Sequence, residues 1–160
     1  MQKVVKDVFQ DFKKESNIQE AQIQKMNLYK KSNKLEVEIF SQNQLKVQEL
    51  ADFETYLSTR FNIQTIILDV KYPEKLELIH TLEDDWNDII KYVALKFPIT
   101  KAILKGSTIV LDGNSAEINL KSKSSEFLHA YSVDSVLEKL FMNVYGKKYR
   151  VTYNENISEE

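Results

Sequence analysis

Leu35-Glu36-Val37-Glu38-Ile39 is the stretch that decides the fold of the first half of this chain. Apolar and acidic side chains alternate through it, and a period of two is typical of a strand with one buried face. The polar cluster at residues 30–34 precedes it and predicts a tight turn after the apolar residues of 26–29. The segment therefore predicts the second strand of a β-hairpin.

A helix and a third strand are predicted after this hairpin. Apolar residues recur at helical spacing from Leu45 to Phe61. Residues 63–70 are rich in β-branched side chains and are followed closely by Pro73, which ends a strand. We therefore expect an N-terminal α/ββαβ module over residues 1–72.

The beginning of this module predicts two helices, over residues 3–15 and, from a weaker pattern, 18–26. The first has an apolar stripe that would suit a partner-binding helix, and the same stripe is what any core helix needs. Sequence leaves both interpretations open. The candidate partner-binding residues are Val5, Val8, Phe9 and Phe12.

The second half predicts the order helix, strand, strand, helix, helix, strand. The segments, in that order, are 81–97, strand material at 102–104 and 108–111, then 117–121, 124–131, 133–145 and 147–153. This order resembles the KH fold of type II, which we predict over residues 76–154, with an acidic tail or linker at 155–160. In KH domains a glycine-containing loop between the two central helices clamps the nucleic-acid backbone. Residues 129–133 hold that position here and contain no glycine, so no working clamp is predicted.

Together the two halves predict an α+β protein of two small modules, each a mixed or antiparallel sheet covered by helices. Each half has the order helix, hairpin, helical segment, final strand. The two amino-acid sequences are not evidently repeated, so this is a similarity of architecture.

The composition excludes several classes of function. The chain has 160 residues, no cysteine and a net charge of −2. Disulfides, thiolate metal sites and a cysteine nucleophile are therefore excluded, and the charge is unlike that of a dedicated nucleic-acid binder. No apolar run has the length of a signal peptide or a membrane span. These features predict a cytoplasmic protein that does not bind membranes.

The residues that could do chemistry lack a supporting context. The acidic residues of 83–88 lie at the predicted start of a helix, where negative charge is stabilised by the helix dipole. His80 and His129 have no second ligand at a spacing typical of metal sites, and no serine has a nucleophile motif around it. We therefore predict no catalysis, no metal and no cofactor in this chain.

Basic residues are the candidates for nucleic-acid contact. They form one group in the hairpin turn and one at the start of the last strand, each with tyrosines nearby that offer a stacking face. The alternative is that they keep the protein soluble and protect exposed strand edges. The candidates are Lys30, Lys31, Lys34, Lys147, Lys148 and Arg150.

Three segments resemble the N-terminal region of PolC, the replicative DNA polymerase III alpha subunit of low-GC Gram-positive bacteria. They are the hairpin at residues 30–37, the following helix with Phe53-Glu54 and a closing Phe61, and the tryptophan-bearing stretch at residues 85–90. The resemblance runs over nearly the whole chain and implies a non-catalytic part of a DNA-directed DNA polymerase with a proofreading exonuclease.

The resemblance also implies partners. The family's N-terminal region is an attachment module, so the implied partners are the tau subunit of the clamp loader and the remainder of the polymerase chain. Weak DNA contact through the basic residues is the alternative function, as an accessory module that holds single-stranded template or primer-template DNA. Salt dependence separates these two functions, because phosphate binding weakens steeply as salt rises.

Overall fold

The computed structural model describes residues 3–12 and 16–155. The chain divides into two compact units, residues 1–79 (unit 1) and residues 80–160 (unit 2). Each unit has one three-stranded mixed sheet and several helices, which confirms the predicted α+β class. Within the described residues, no helix is both long enough and apolar enough to cross a membrane.

Unit 1 is built on the predicted hairpin. Its elements are α1 (Val5–Val8), a 3-10 turn (Asn17–Glu20), β1 (Gln22–Tyr29), β2 (Lys34–Phe40), α2 (Val47–Phe61) and β3 (Thr65–Lys71). β2 is the central strand, antiparallel to β1 and parallel to β3. Leu35, Val37 and Ile39 are buried, as their alternation with acidic residues predicts. α2 provides the crossover that a parallel strand pair requires.

Contacts at both ends of α2 define where the helix begins and where it stops. At its start, the Glu49 carboxylate accepts hydrogen bonds from the backbone N–H of Lys46 and of Asn17, each at 3.1 Å. At its end, Asn62 takes a left-handed conformation (φ 52°), which is a common way for a helix to stop. These contacts fix the helix that covers the sheet.

Unit 2 repeats the strand order of unit 1. Its elements are α3 (Trp86–Lys96), α4 (Thr100–Leu104), β4 (Thr108–Asp112), β5 (Ser115–Leu120), α5 (Ser125–Ala130), α6 (Val133–Tyr145) and β6 (Arg150–Glu155). β5 is central, antiparallel to β4 and parallel to β6. Ile118 and Leu120 of β5 are buried, as are Leu137 and Phe141 of α6.

The two helices between the parallel strands of unit 2 meet at a sharp junction. Ser132 there has a left-handed backbone (φ 54°), and the neighbouring Tyr131 is exposed. Counting α3 and α4 as one helical segment, the order of elements is the one predicted from sequence. Kinship with the KH fold stays a prediction, as do the module borders at 1–72 and 76–154. Of the predicted tail at 155–160, only Glu155 lies within the described residues, and it ends β6.

The predicted N-terminal helix is much shorter than expected. α1 spans four residues, Val5–Val8, and the backbone leaves helical geometry at Phe9 (φ −114°, ψ 68°). Phe12 N then donates to Phe9 O at 3.0 Å and closes a turn. The helical spacing of the apolar residues predicted which side chains are buried, but not how far the helix continues.

The weak helix predicted at residues 18–26 is wrong, because Gln22 begins β1. Ile23 and Met26 have the i, i+3 spacing of a helix. In the strand, Ile23 pairs with Ile39 and Met26 with Val37, and the register shifts at Gln24. This bulge adds one residue to the strand and so places Ile23 and Met26 on the same face.

The strand predicted at residues 102–104 is also wrong, because these residues belong to α4. Thr100 and Leu104, at i and i+4, are both fully buried, which is a helical pattern. Thr100 Oγ1 donates to Phe97 O at 2.6 Å just after the proline that ends α3. α3 itself begins at Trp86 rather than at Thr81, whose hydroxyl accepts from Asp84 N at 3.3 Å in the preceding turn.

Candidate functional site

The turn between β1 and β2 carries three of the predicted basic residues, Lys30, Lys31 and Lys34. Asn33 takes a left-handed conformation in this turn (φ 51°), and its backbone oxygen accepts a hydrogen bond from Thr65 N at 3.2 Å. The turn is thereby tied to the start of β3. The hydrogen bond to β3 therefore holds the backbone of this turn in place.

These three lysines differ in what they contact. Lys34 Nζ lies 3.5 Å from a carboxylate oxygen of Glu36 and 4.8 Å from the centroid of the Tyr29 ring. Tyr29 Oη donates to the same carboxylate at 3.4 Å. Lys30 and Lys31 are exposed. The charge of Lys34 is therefore partly compensated within the protein, whereas Lys30 and Lys31 point their charge at solvent.

The second basic group belongs to unit 2. Lys147 Nζ donates to Gly113 O in the β4–β5 turn at 2.9 Å and lies 4.9 Å from the centroid of the Tyr149 ring. Lys148 and Arg150 are exposed. Lys147 thus has a structural role in bracing a hairpin turn. The two basic groups lie in different units, and each is a separate candidate.

The residues predicted for a partner-binding helix lie in the core of unit 1. Val5, Phe9 and Phe12 are buried, and only Val8 is partly exposed. The ring centroids of Phe9 and Phe12 lie 5.9 and 5.4 Å from that of Phe53 in α2. A partner would contact these rings only if the segment left the core. Their packing role is therefore the one that the structure supports, and partner binding here stays a prediction.

A half-buried polar cluster links the start of α3 to the end of α6. Asp85 Oδ2 accepts a 2.7 Å hydrogen bond from Tyr145 Oη and also contacts His80 Nδ1. Burial, reinforced by this hydrogen bond, raises the pKa of the Tyr145 hydroxyl. The tyrosine therefore stays a protonated donor, which is what a structural contact between two helices needs.

The described residues contain no group of side chains that suits a metal centre. Across residues 3–12 and 16–155, no three His, Cys, Asp or Glu side chains are grouped so as to hold a metal ion. Of the acidic residues of 83–88, Asp88 lies in the first turn of α3 as predicted, whereas Glu83, Asp84 and Asp85 precede the helix.

Sequence reasoning missed an apolar surface on unit 2. Leu95 at the end of α3 and Ile99 before α4 are 68% and 55% exposed, and Tyr131 is 54% exposed. The Phe97 ring lies 6.1 Å from that of Tyr131, which is 4.5 Å from that of Phe127. We call Leu95, Phe97, Ile99 and Tyr131 the α3–α4 surface. The signal in the sequence was that Leu95 and Ile99 lie off the apolar stripe that buries α3.

Residues 1–70 match the DNA polymerase III PolC-type N-terminus I family. The chain is also similar to the DNA polymerase III PolC-type of Clostridium perfringens (strain 13 / Type A), with 25% identity over 166 aligned positions. That similarity covers 98% of this chain and 11% of the relative, so the chain spans about a ninth of the protein it matches. The resemblance to the PolC N-terminal region is thereby confirmed. No solved structure matches the chain.

Proposed function

We propose that this chain is the non-catalytic N-terminal region of a PolC-type DNA polymerase III, that it acts in DNA replication, and that it attaches the polymerase to the clamp-loader tau subunit. The match of residues 1–70 to the PolC N-terminus I family is the observation that carries the proposal. The similarity to a PolC-type polymerase over nearly the whole chain extends it to unit 2. On this proposal the chain works in the cytoplasm, joined to the remainder of a DNA-directed DNA polymerase.

Two features of the fold support an attachment role. Unit 2 exposes Leu95, Ile99 and Tyr131, and exposed apolar groups of this kind mark sites where proteins meet. The half-buried polar cluster around Asp85 links α3 to α6 through the hydrogen bond from Tyr145 Oη, which fits a structural contact. Binding, rather than chemistry, is therefore the role that these side chains fit.

The direct test is a heteronuclear NMR titration of this chain with the C-terminal region of tau from the same source, at moderate salt. We expect saturable shifts that cluster on one unit and map the binding face. An unchanged spectrum at high tau concentration would remove tau from the proposal.

Contact with single-stranded DNA is the second candidate, and the exposure of Lys30 and Lys31 beside Tyr29 favours it. A lysine pair next to an exposed aromatic ring suits backbone contact and base stacking. The affinity would be low, in the range of roughly 10⁻⁴ to 10⁻⁶ M, and salt-sensitive. Fluorescence anisotropy of a labelled oligonucleotide, for wild type and the Lys30→Ala/Lys31→Ala double variant, tests this. Equal binding by both proteins would exclude the turn as the contact.

A further inference from the structure

Lysine is the only charged residue type in the stretch of chain that carries Leu95, Phe97 and Ile99. Residues 89–111 contain four lysines and no aspartate or glutamate. All four lysines are exposed, and they are Lys91, Lys96, Lys101 and Lys105. A stretch of this length without an acidic residue stands out in a chain whose net charge is −2.

The fold interleaves these lysines with the exposed apolar side chains. Lys91 and Leu95 are four residues apart on α3, so they lie on the same face of the helix. Phe97 and Ile99 occupy the turn into α4, which is closed by a hydrogen bond from Thr100 N to Phe97 O at 2.9 Å. The end of α3 and the turn into α4 therefore expose apolar side chains and lysines next to one another.

Acidic residues flank this stretch and offset part of its charge. Asp88 is exposed and lies three residues before Lys91 on the same side of α3, and Asp112 follows at the end of β4. On the side of Tyr131, the nearest acids in sequence are Glu126 of α5 and Asp134 of α6. The Asp134 carboxylate lies 3.8 Å from His129 Nδ1, so it faces a group within its own unit. Glu126 is exposed. Lys96 and Lys101 are each at least eight residues along the chain from the nearest acidic residue.

We infer that the α3–α4 surface is the docking site for an acidic amphipathic segment of the partner, with its apolar side on Leu95 and Ile99 and its carboxylates toward the lysines. The inference rests on the proposed function, in which that partner is tau, and adds to it the face used and the chemistry of the segment that binds. An amphipathic segment laid on an apolar surface is a recurrent recognition mode. Complementary charge sets its orientation and speeds its association.

A nucleic acid suits this surface less well. Leu95 and Ile99 are aliphatic and offer no flat face to a base, whereas single-strand binding relies on aromatic stacking. The Tyr131 ring already has the rings of Phe97 and Phe127 as neighbours, at 6.1 and 4.5 Å. An apolar protein segment makes fuller use of these side chains.

The test is calorimetric titration of the tau C-terminal region into the wild-type chain and into two variants, Leu95→Asp and Ile99→Asp. Each variant is expected to weaken binding about tenfold or more, since each places a carboxylate where the partner is apolar and acidic. The matched control is Leu28→Asp, which changes a 44% exposed leucine of unit 1 and should leave the affinity unchanged. Thermal unfolding followed by Trp86 fluorescence verifies that unit 2 of each variant is folded.

A charge variant tests the second half of the inference. Lys101→Glu should weaken tau binding several-fold, with a larger effect at low salt than at high salt. Lys75→Glu, at an exposed position of unit 1, is its control and should have no effect.

The outcomes distinguish a failure of the surface assignment from a failure of the proposed function. If tau binds the wild type and the Leu95 and Ile99 variants equally, the surface assignment is overturned and the proposed function survives. If tau does not bind the wild type, both fall. If a single-stranded oligonucleotide binds the wild type and loses affinity in these variants, the site belongs to nucleic acid and the inference is overturned.

Discussion

Units 1 and 2 have the same strand order and different crossovers between their parallel strands. In unit 1 a single helix of 15 residues, α2, joins β2 to β3. In unit 2 two helices, α5 of 6 residues and α6 of 13, join β5 to β6 and meet at the left-handed Ser132. A sheet with this strand order is thus compatible with a crossover of one helix or of two. The crossover then determines which side chains stay exposed to solvent.

The consequences for the surface follow from this difference. The apolar face of α2 is covered by Phe9 and Phe12 from the N-terminal segment. The break between α5 and α6 instead leaves Tyr131 exposed at a corner, in contact with Phe97. The aromatic residues next to the crossover of unit 1 are therefore used for packing, whereas unit 2 presents part of the aromatic cluster at its crossover to solvent.

The largest expected effect comes from removing one core ring from each unit. Phe53→Ala in unit 1 and Phe141→Ala in unit 2 each delete a fully buried side chain and should lower the free energy of unfolding of that unit by about 3–5 kcal/mol. Trp86 is the one tryptophan of the chain and lies in unit 2, where its indole N–H donates to Ser107 O at 3.2 Å. Urea unfolding followed by its fluorescence reports unit 2, and far-UV circular dichroism reports both units.

We expect Phe141→Ala to shift the fluorescence transition and Phe53→Ala to change only the circular dichroism. An equal shift of the fluorescence midpoint by Phe53→Ala would mean that the two units unfold as one. The two units could then not be treated as independent in stability.

A smaller effect is expected at the two left-handed residues that end α2 and α6, Asn62 and Gly146. Both have positive φ, 52° and 65°, a region that disfavours a side chain with Cβ. Gly146→Ala should lower the free energy of unfolding of unit 2 by about 1–2 kcal/mol. Gly146→Asn should cost less, because asparagine tolerates this conformation, as Asn62 does in unit 1. Urea midpoints from Trp86 fluorescence measure both variants, and an Asn variant no better than the Ala variant would contradict this account.

The smallest effect concerns a pH dependence that belongs to unit 2. The Glu155 carboxylate accepts a hydrogen bond from Ser125 Oγ and one from Ser125 N (2.9 Å), at the start of α5. These hydrogen bonds lower the pKa of Glu155 below its ordinary value of 4.5. A depressed folded-state pKa gives stability that is present above the unfolded pKa and is lost as pH falls through the folded value.

Wild-type unit 2 should therefore lose stability below about pH 4.5 more steeply than Glu155→Gln does. Urea midpoints from Trp86 fluorescence, measured from neutral pH down to pH 3, test this. Parallel pH profiles for the two proteins would show that Glu155 contributes nothing to the acid sensitivity of unit 2.

Local patterns in the sequence were sufficient for most of the fold. The alternation through Leu35–Ile39 predicts its strand directly, because the period of a strand is a local property of the sequence. The helix predicted at 3–15 failed because burial against α2, rather than helical hydrogen bonding, sets the conformation after Val8. The strand predicted at 102–104 failed because the burial of Thr100 and Leu104 on one helix face overrides the strand preference of an isoleucine.

The candidate sites were predicted less well, for a physical reason. Sequence shows that a lysine is present but not what it contacts, and Lys34 and Lys147 turned out to have partners inside their own units. The position of Leu95 and Ile99 off the apolar stripe of α3 indicates their exposure, but the sequence does not show that Tyr131, from the α5–α6 junction, lies near Phe97. A surface depends on how several elements pack together, and a local sequence pattern does not contain that information.

The bulge at Gln24 has a consequence for how the length of this strand can vary. Gln24 is the extra residue between the Ile23–Ile39 and Lys25–Glu38 pairs, so deleting it would restore a regular strand and leave Ile23, Met26 and Leu28 on the same face. The residues before it, where Val4 bridges to Gln22, would keep their register as well. Relatives of this domain can therefore lose this one residue and keep the same arrangement upstream, whereas a single-residue gap elsewhere in β1 would turn one part of the strand to the opposite face.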